Sequence, residues 1–182
     1  MKSAAAAARR PFFARPGVLE GLVGLSIILA LSGVVMPGIG ESVRTARRTG
    51  AQGDMQLIAE GLVRYVRDTL TLPTGVEGRT NITWLYGPGH IPAQQPFGAS
   101  TDARPIEDAL LNASMGRTRW HGPYLAGELH PDPWGNAYLV NADGWITPGE
   151  QAMVLSAGPD GIVETTPWAR RPGGDDLLLV MD

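Results

Sequence analysis

Four carboxylates stand close together late in the sequence: Asp160 and Glu164, then Asp175 and Asp176. They belong to a glycine-rich stretch from Leu155 to Asp176 that contains Ala157-Gly-Pro-Asp-Gly161 and Gly173-Gly-Asp-Asp176. Carboxylates, with backbone carbonyls between them, are hard oxygen donors. Calcium takes about six to eight such oxygens and tolerates irregular geometry, so this stretch has the donor type of a calcium loop. The same residues also suit turns along a solvated edge, because Asp-Gly is common in any turn.

A fifth carboxylate is placed very differently. Glu20 lies inside the apolar run from Val18 to Met36, which Pro37 closes and which follows a leader containing Lys2, Arg9, Arg10 and Arg15. A bilayer core of roughly 30 Å needs about 20 mostly apolar helical residues, and the run is near that length. The basic residues before it, and their scarcity just after it, place the leader in the cytoplasm and the rest outside. A carboxylate in hydrocarbon is costly and usually has a partner and a purpose. A signal peptide cut near Ala30-Leu-Ser32 or a plain signal anchor leaves Glu20 unexplained. A paired carboxylate with a role in the membrane segment and one that snorkels to water near the helix start are both open at this point.

Other chemistries lack their residues. There are no cysteines, so no disulfide, thiolate zinc site or cysteine nucleophile exists. Lys2 is the only lysine, so no lysine outside the leader can act as a base, Schiff-base former or P-loop residue. His90, His121 and His130 are scattered, with no HExxH arrangement. Asp175 and Asp176 are adjacent, so in an extended segment their side chains diverge, unlike a glycosidase pair. An enzyme is disfavoured. The formal charge is −3, and without the leader 11 basic side chains face 18 acidic ones, a balance of −7. That balance argues against a nucleic-acid partner, which needs a basic surface.

The elements that must position these residues follow from periodicity. Val43, Met55, Ile58, Leu62, Tyr65 and Val66 recur at helical spacing, mostly on one face, and Arg44, Arg47, Arg48, Asp54, Glu60, Arg64 and Asp68 occupy much of the remainder. One long helix is predicted from about Pro16 to Leu70, softened by Gly38, Gly40, Gly50 and Gly53. Pro73 to Pro105 reads as a connection with little regular structure, and Ile106 to Met115 as a short helix. Asp132-Pro-Trp-Gly-Asn136 reads as a turn with Asp132 bonding its amides, leading into a strand through Val140. Asn141-Ala-Asp-Gly144 is predicted to be a hairpin turn. Gln151 to Ser156 and Leu177 to Met181 are predicted strands.

The N-terminal segment resembles the type IV pilin and pseudopilin superfamily, in which the mature chain opens on a hydrophobic helix with Glu at its fifth position and Pro at its twenty-second. Glu20 and Pro37 stand in that register, which makes Pro16 the mature first residue. The family has Gly just before the cut. This chain has Arg15 there, and the nearest glycine, Gly17, is two positions late. The C-terminal stretch resembles the major pseudopilin of type II secretion systems through Gly122-Pro-Tyr-Leu125, Asp132-Pro-Trp-Gly-Asn136, Ser156-Ala-Gly-Pro-Asp-Gly161 and Gly174-Asp-Asp176.

The resemblance implies an α+β fold: a long N-terminal helix, half membrane and half amphipathic, packed on a small C-terminal antiparallel sheet with a calcium-type loop. The implied organisation is a basic leader at 1–15, a transmembrane or filament-core helix at 16–37, an amphipathic helix at 38–72, a variable region at 73–123, and the sheet with its acidic loop at 124–182. A structural Ca2+ is implied, held by Asp160, Asp175 and Asp176 with carbonyls from Leu155 and Ser156 onward. Glu20 would pair with the free amine of Pro16 on a neighbouring subunit. The implied protein is a non-enzymatic subunit of a type II secretion pseudopilus, a single-pass inner-membrane protein with its globular domain in the periplasm. It polymerises into a helical homo-oligomer that drives export. Its partners would be a prepilin peptidase acting around Arg15, Pro16 and Gly17, the membrane, minor pseudopilins and an inner-membrane assembly platform. A type IV pilus subunit and a membrane-anchored calcium-dependent binding domain are the alternatives.

Overall fold

The computed structural model describes residues 18–73, 82–97, 103–112 and 119–181, with side chains from residue 40 onward. Arg15, Pro16 and Gly17 lie outside the described residues; Glu20 lies within a helix, but its side chain is outside them. The chain divides into two compact units, Met1–Val43 and Arg44–Asp182. Helix α1, Val18–Thr69, contributes to both. Among the described residues no helix is long and apolar enough to cross a membrane. The apolar run from Val18 to Met36 falls where side chains are not described.

In the second unit the helical periodicity is realised as burial. Ala51, Met55, Ile58, Ala59, Leu62 and Tyr65 are buried on one face of α1, while Gln52, Gln56, Glu60, Arg64 and Arg67 are exposed. Burying each large apolar side chain contributes roughly 1.5–3 kcal/mol. That outweighs the exposed Glu60–Arg64 pair at 3.3 Å, a type of contact worth about 0.3–0.5 kcal/mol. The helix runs unbroken through Gly38, Gly40, Gly50 and Gly53. It ends where Leu70 adopts a φ of 55°.

Five short strands form one sheet: β1 Trp84–Tyr86, β2 Ala103–Pro105, β3 Leu139–Asn141, β4 Met153–Ser156 and β5 Leu177–Val180. Their spatial order is β2-β1-β3-β4-β5. A short helix, α2 (Ile106–Leu110), follows β2 and buries Ile106, Ala109 and Leu110. The sheet departs from the expected antiparallel C-terminal one in two ways. β1 and β2 come from the segment read as a connection, and they pair in parallel; the other pairs are antiparallel. The expected turn at Asp143-Gly144 is also absent, because Asp143–Trp145 forms a single 3-10 turn within a longer link from β3 to β4.

Alternate residues of each strand point to opposite faces, and here both faces are buried. Leu85, Val140 and Val154 pack with Ile58, Leu62 and Tyr65 of α1. Trp84, Leu139, Met153 and Leu155 form a second core with Phe97 and Val163, which come from loops. The link between β4 and β5, which carries the acidic residues, therefore covers the face opposite α1.

Candidate metal centre

The acidic loop is built on the turn that precedes β3. Asp132 is buried, and its Oδ1 accepts the N–H groups of Trp134 at 3.0 Å and Asn136 at 2.8 Å. Asp132 Oδ2 accepts the Ser156 hydroxyl at 2.6 Å. The Asn136 side-chain amide donates to the Gly158 carbonyl at 2.9 Å. Two motifs far apart in sequence thus form one rigid base, with the loop leaving it at Gly158.

The far side of the loop is fastened by Asp176. Its Oδ2 accepts the N–H groups of Glu164 at 2.9 Å and Thr165 at 2.8 Å, and the Thr165 hydroxyl at 2.6 Å. Thr165 Oγ1 in turn accepts the Gly173 N–H at 2.9 Å. Carboxylates that accept several hydrogen bonds fix loop geometry strongly.

Within this frame, carboxylate oxygens of Asp160, Glu164 and Asp175 lie within 4.8 Å of one another. Asp160 and Glu164 are exposed, and Asp175 is partly buried. Oδ1 of Asp175 and Oδ1 of Asp176 are buried without a hydrogen-bond partner. Burial, and then the nearby Asp160 charge, push the Asp175 carboxyl above its ordinary 3.8. Burial also raises Asp176, against the lowering effect of its bonds to Thr165 and Glu164. Desolvation and crowded like charge both disfavour the ionised form.

Glycines make room for this crowding. Gly158 has a φ of +65°, and a Cβ there would come within 2.6 Å of the Asp175 carbonyl oxygen. Gly174 has a φ of +46°, and a Cβ there would collide with Glu164 Oε2. A Cβ at Gly173 would approach the Glu164 carbonyl oxygen to 2.7 Å. The donors are all hard oxygens, come from both ends of one loop, and include buried oxygens with no partner. That set fits calcium.

Of the residues expected from sequence, the structure brings Asp160 and Asp175 together. Asp176 is adjacent, with one oxygen committed to loop amides. Leu155 and Ser156, expected through their carbonyls, are the last residues of β4, where the loop begins; the Ser156 hydroxyl is committed to Asp132. The added member is Glu164. The sequence names it as a loop carboxylate, and the Gly173-Gly174 pair is the signal that its side chain folds back over the loop. The three histidines are exposed at separate places.

Residues 106–170 match the family model described as type II secretion system (T2SS), protein G. Over those residues the chain is similar to the major pseudopilin of type II secretion systems. The matched stretch holds α2, the Asp132–Asn136 turn, β3, β4, Asp160 and Glu164. The pseudopilin likeness thus falls on the turn and strands that support the acidic loop, and stops short of Asp175. No curated protein and no solved structure matches the chain.

Proposed function

We propose that this chain is a structural subunit of a type II secretion pseudopilus, polymerising through its N-terminal helix to drive protein export. The observation that carries this reading is the match over residues 106–170, supported by the Glu20–Pro37 spacing. In this reading the apolar run first holds the subunit in the inner membrane and then packs in the filament core, with the globular domain in the periplasm. Glu20 pairs there with the Pro16 amine of a neighbour. Each charge would be costly alone in apolar surroundings, and pairing sets the axial register. Glu20→Ala in the full-length chain blocks filament formation and leaves the globular unit folded; filaments at normal yield from that variant would sink the assembly reading.

The acidic loop takes a structural Ca2+ in this proposal, held by Asp160, Glu164 and Asp175 with help from backbone carbonyls. Bound calcium supplies positive charge that offsets three neighbouring carboxylates. The residues themselves hold the loop over the second core, in a chain that has no disulfide to do so.

A further inference from the structure

An apolar groove of about 230 Å3 runs between α1 and residues 124–130. Leu57, Leu125 and Leu129 line it, with Asp54 and Glu128 also at its wall. Leu57 is 57% exposed. Arg64 also borders the groove, but its charge is already met by Glu60.

The link between β4 and β5 carries a complementary feature. Trp168 is 64% exposed, which is unusual for so large an apolar side chain. It sits in a turn closed by the Ala169 N–H bonding to the Thr166 carbonyl at 3.0 Å. Pro167 and Pro172 bracket the segment, and Arg170 and Arg171 follow Trp168 with both side chains exposed. Neither arginine is in an ion pair among the described residues. A pre-set aromatic loop loses little entropy on docking, and Trp and Arg are the side chains that most often anchor interfaces.

We propose that the Trp168–Arg171 segment of one copy of this chain docks in the α1 groove of the next, with the indole against Leu57, Leu125 and Leu129 and the arginines facing Asp54 and Glu128. None of residues 167–172 lines the groove within the molecule. The loop bearing Trp168 covers the sheet face opposite α1 through Val163, and its Pro167 carbonyl accepts the Gln151 N–H at 2.8 Å. Joining unlike patches gives a head-to-tail contact, which extends into an open helical array when the rotation does not close. The inference rests on the filament reading and gives it a specific contact between globular units.

The chain has no cysteine, so introduced thiols report contacts cleanly. Full-length protein carrying both Ala126→Cys and Ala169→Cys, oxidised in its assembled state, is expected to give a ladder of dimers, trimers and longer products. Each single variant is expected to give none. Dimers from Ala169→Cys alone would mean that loop meets loop, and would overturn the proposal. So would a cross-link from Ala126→Cys to some other protein in place of the ladder. Normal filaments without any cross-link would overturn the contact while leaving the filament reading intact; no filaments from the unaltered chain would overturn both. Trp168→Ala is expected to cut filament yield about tenfold or more without altering the circular dichroism of the subunit. Arg170→Glu and Glu128→Arg are each expected to lower yield, and the two together to restore it; failure of that rescue counts against the charge pairing.

Discussion

The Glu164 carboxylate occupies the space that a side chain at Gly174 would take. One residue therefore sets another's identity across the loop. Gly174→Ala is expected to expel Glu164 from the acidic cluster and to strain a backbone held at φ +46°. The backbone cost alone is about 1–2 kcal/mol. Thermal unfolding with and without calcium should show a lower midpoint in both conditions and a smaller gain from calcium.

Glu164→Gln separates charge from shape. With calcium removed by EDTA, the variant is expected to be at least as stable as the parent, because one of three crowded charges is gone. Its calcium affinity is expected to fall roughly tenfold, since charge count tunes such sites. Titration calorimetry reads the second effect and thermal unfolding the first. If EDTA followed by added calcium leaves the parent's unfolding unchanged, the metal assignment fails.

The pH response of the calcium-free protein has a definite sign. Asp175 and Asp176 both hold their protons above the ordinary 3.8 in the folded state. The folded state thus binds more protons than the unfolded one across that window. The resulting stabilisation is full below the unfolded value and is lost as pH rises through the folded values. The metal-free midpoint should therefore fall as pH rises above the ordinary carboxylate value, on account of these groups. Calcium replaces the protons, so the gain in midpoint on adding it should grow over the same range. A gain that shrinks as pH rises would contradict the assignment.

A polar tether joins α1 to the residue just before β3. The Tyr138 hydroxyl donates to Asp54 Oδ2 at 3.0 Å, and burial together with the Asp54 charge holds the phenol far above its usual pKa. Tyr138→Phe keeps the ring and leaves partly exposed Asp54 free to take water. A loss of about 1 kcal/mol is expected, measurable by urea unfolding.

Much of this was readable from the chain, and the exceptions have physical causes. Met55, Ile58, Leu62 and Tyr65 repeat often enough to announce α1, and the runs ending at Ser156 and Met181 announce β4 and β5. Trp84–Tyr86 is too short to show alternation and abuts Gly87-Pro88-Gly89, so its strand character comes from pairing with β3. The parallel partner Ala103–Pro105 has no local signal at all. At Gly144 the Asp-Gly pair misleads, because this glycine serves close approach to the Gln151 and Ala152 backbone rather than a positive φ. In the acidic loop, Asp160 and Asp175 stand out by type and spacing. Glu164 joins them only through the path of the chain past Gly173 and Gly174.

The two faces of the sheet are closed by unlike lids. One is α1, held by a continuous stripe of apolar contacts. The other is a loop held by a few bonds from Asn136, Asp132 and Asp176, over Leu139, Met153 and Leu155. Water has an easier way in on the loop side, so sub-global opening should begin there. The protein has a built-in direction of breathing, and whatever tightens the loop slows wetting of the inner sheet without touching the helix.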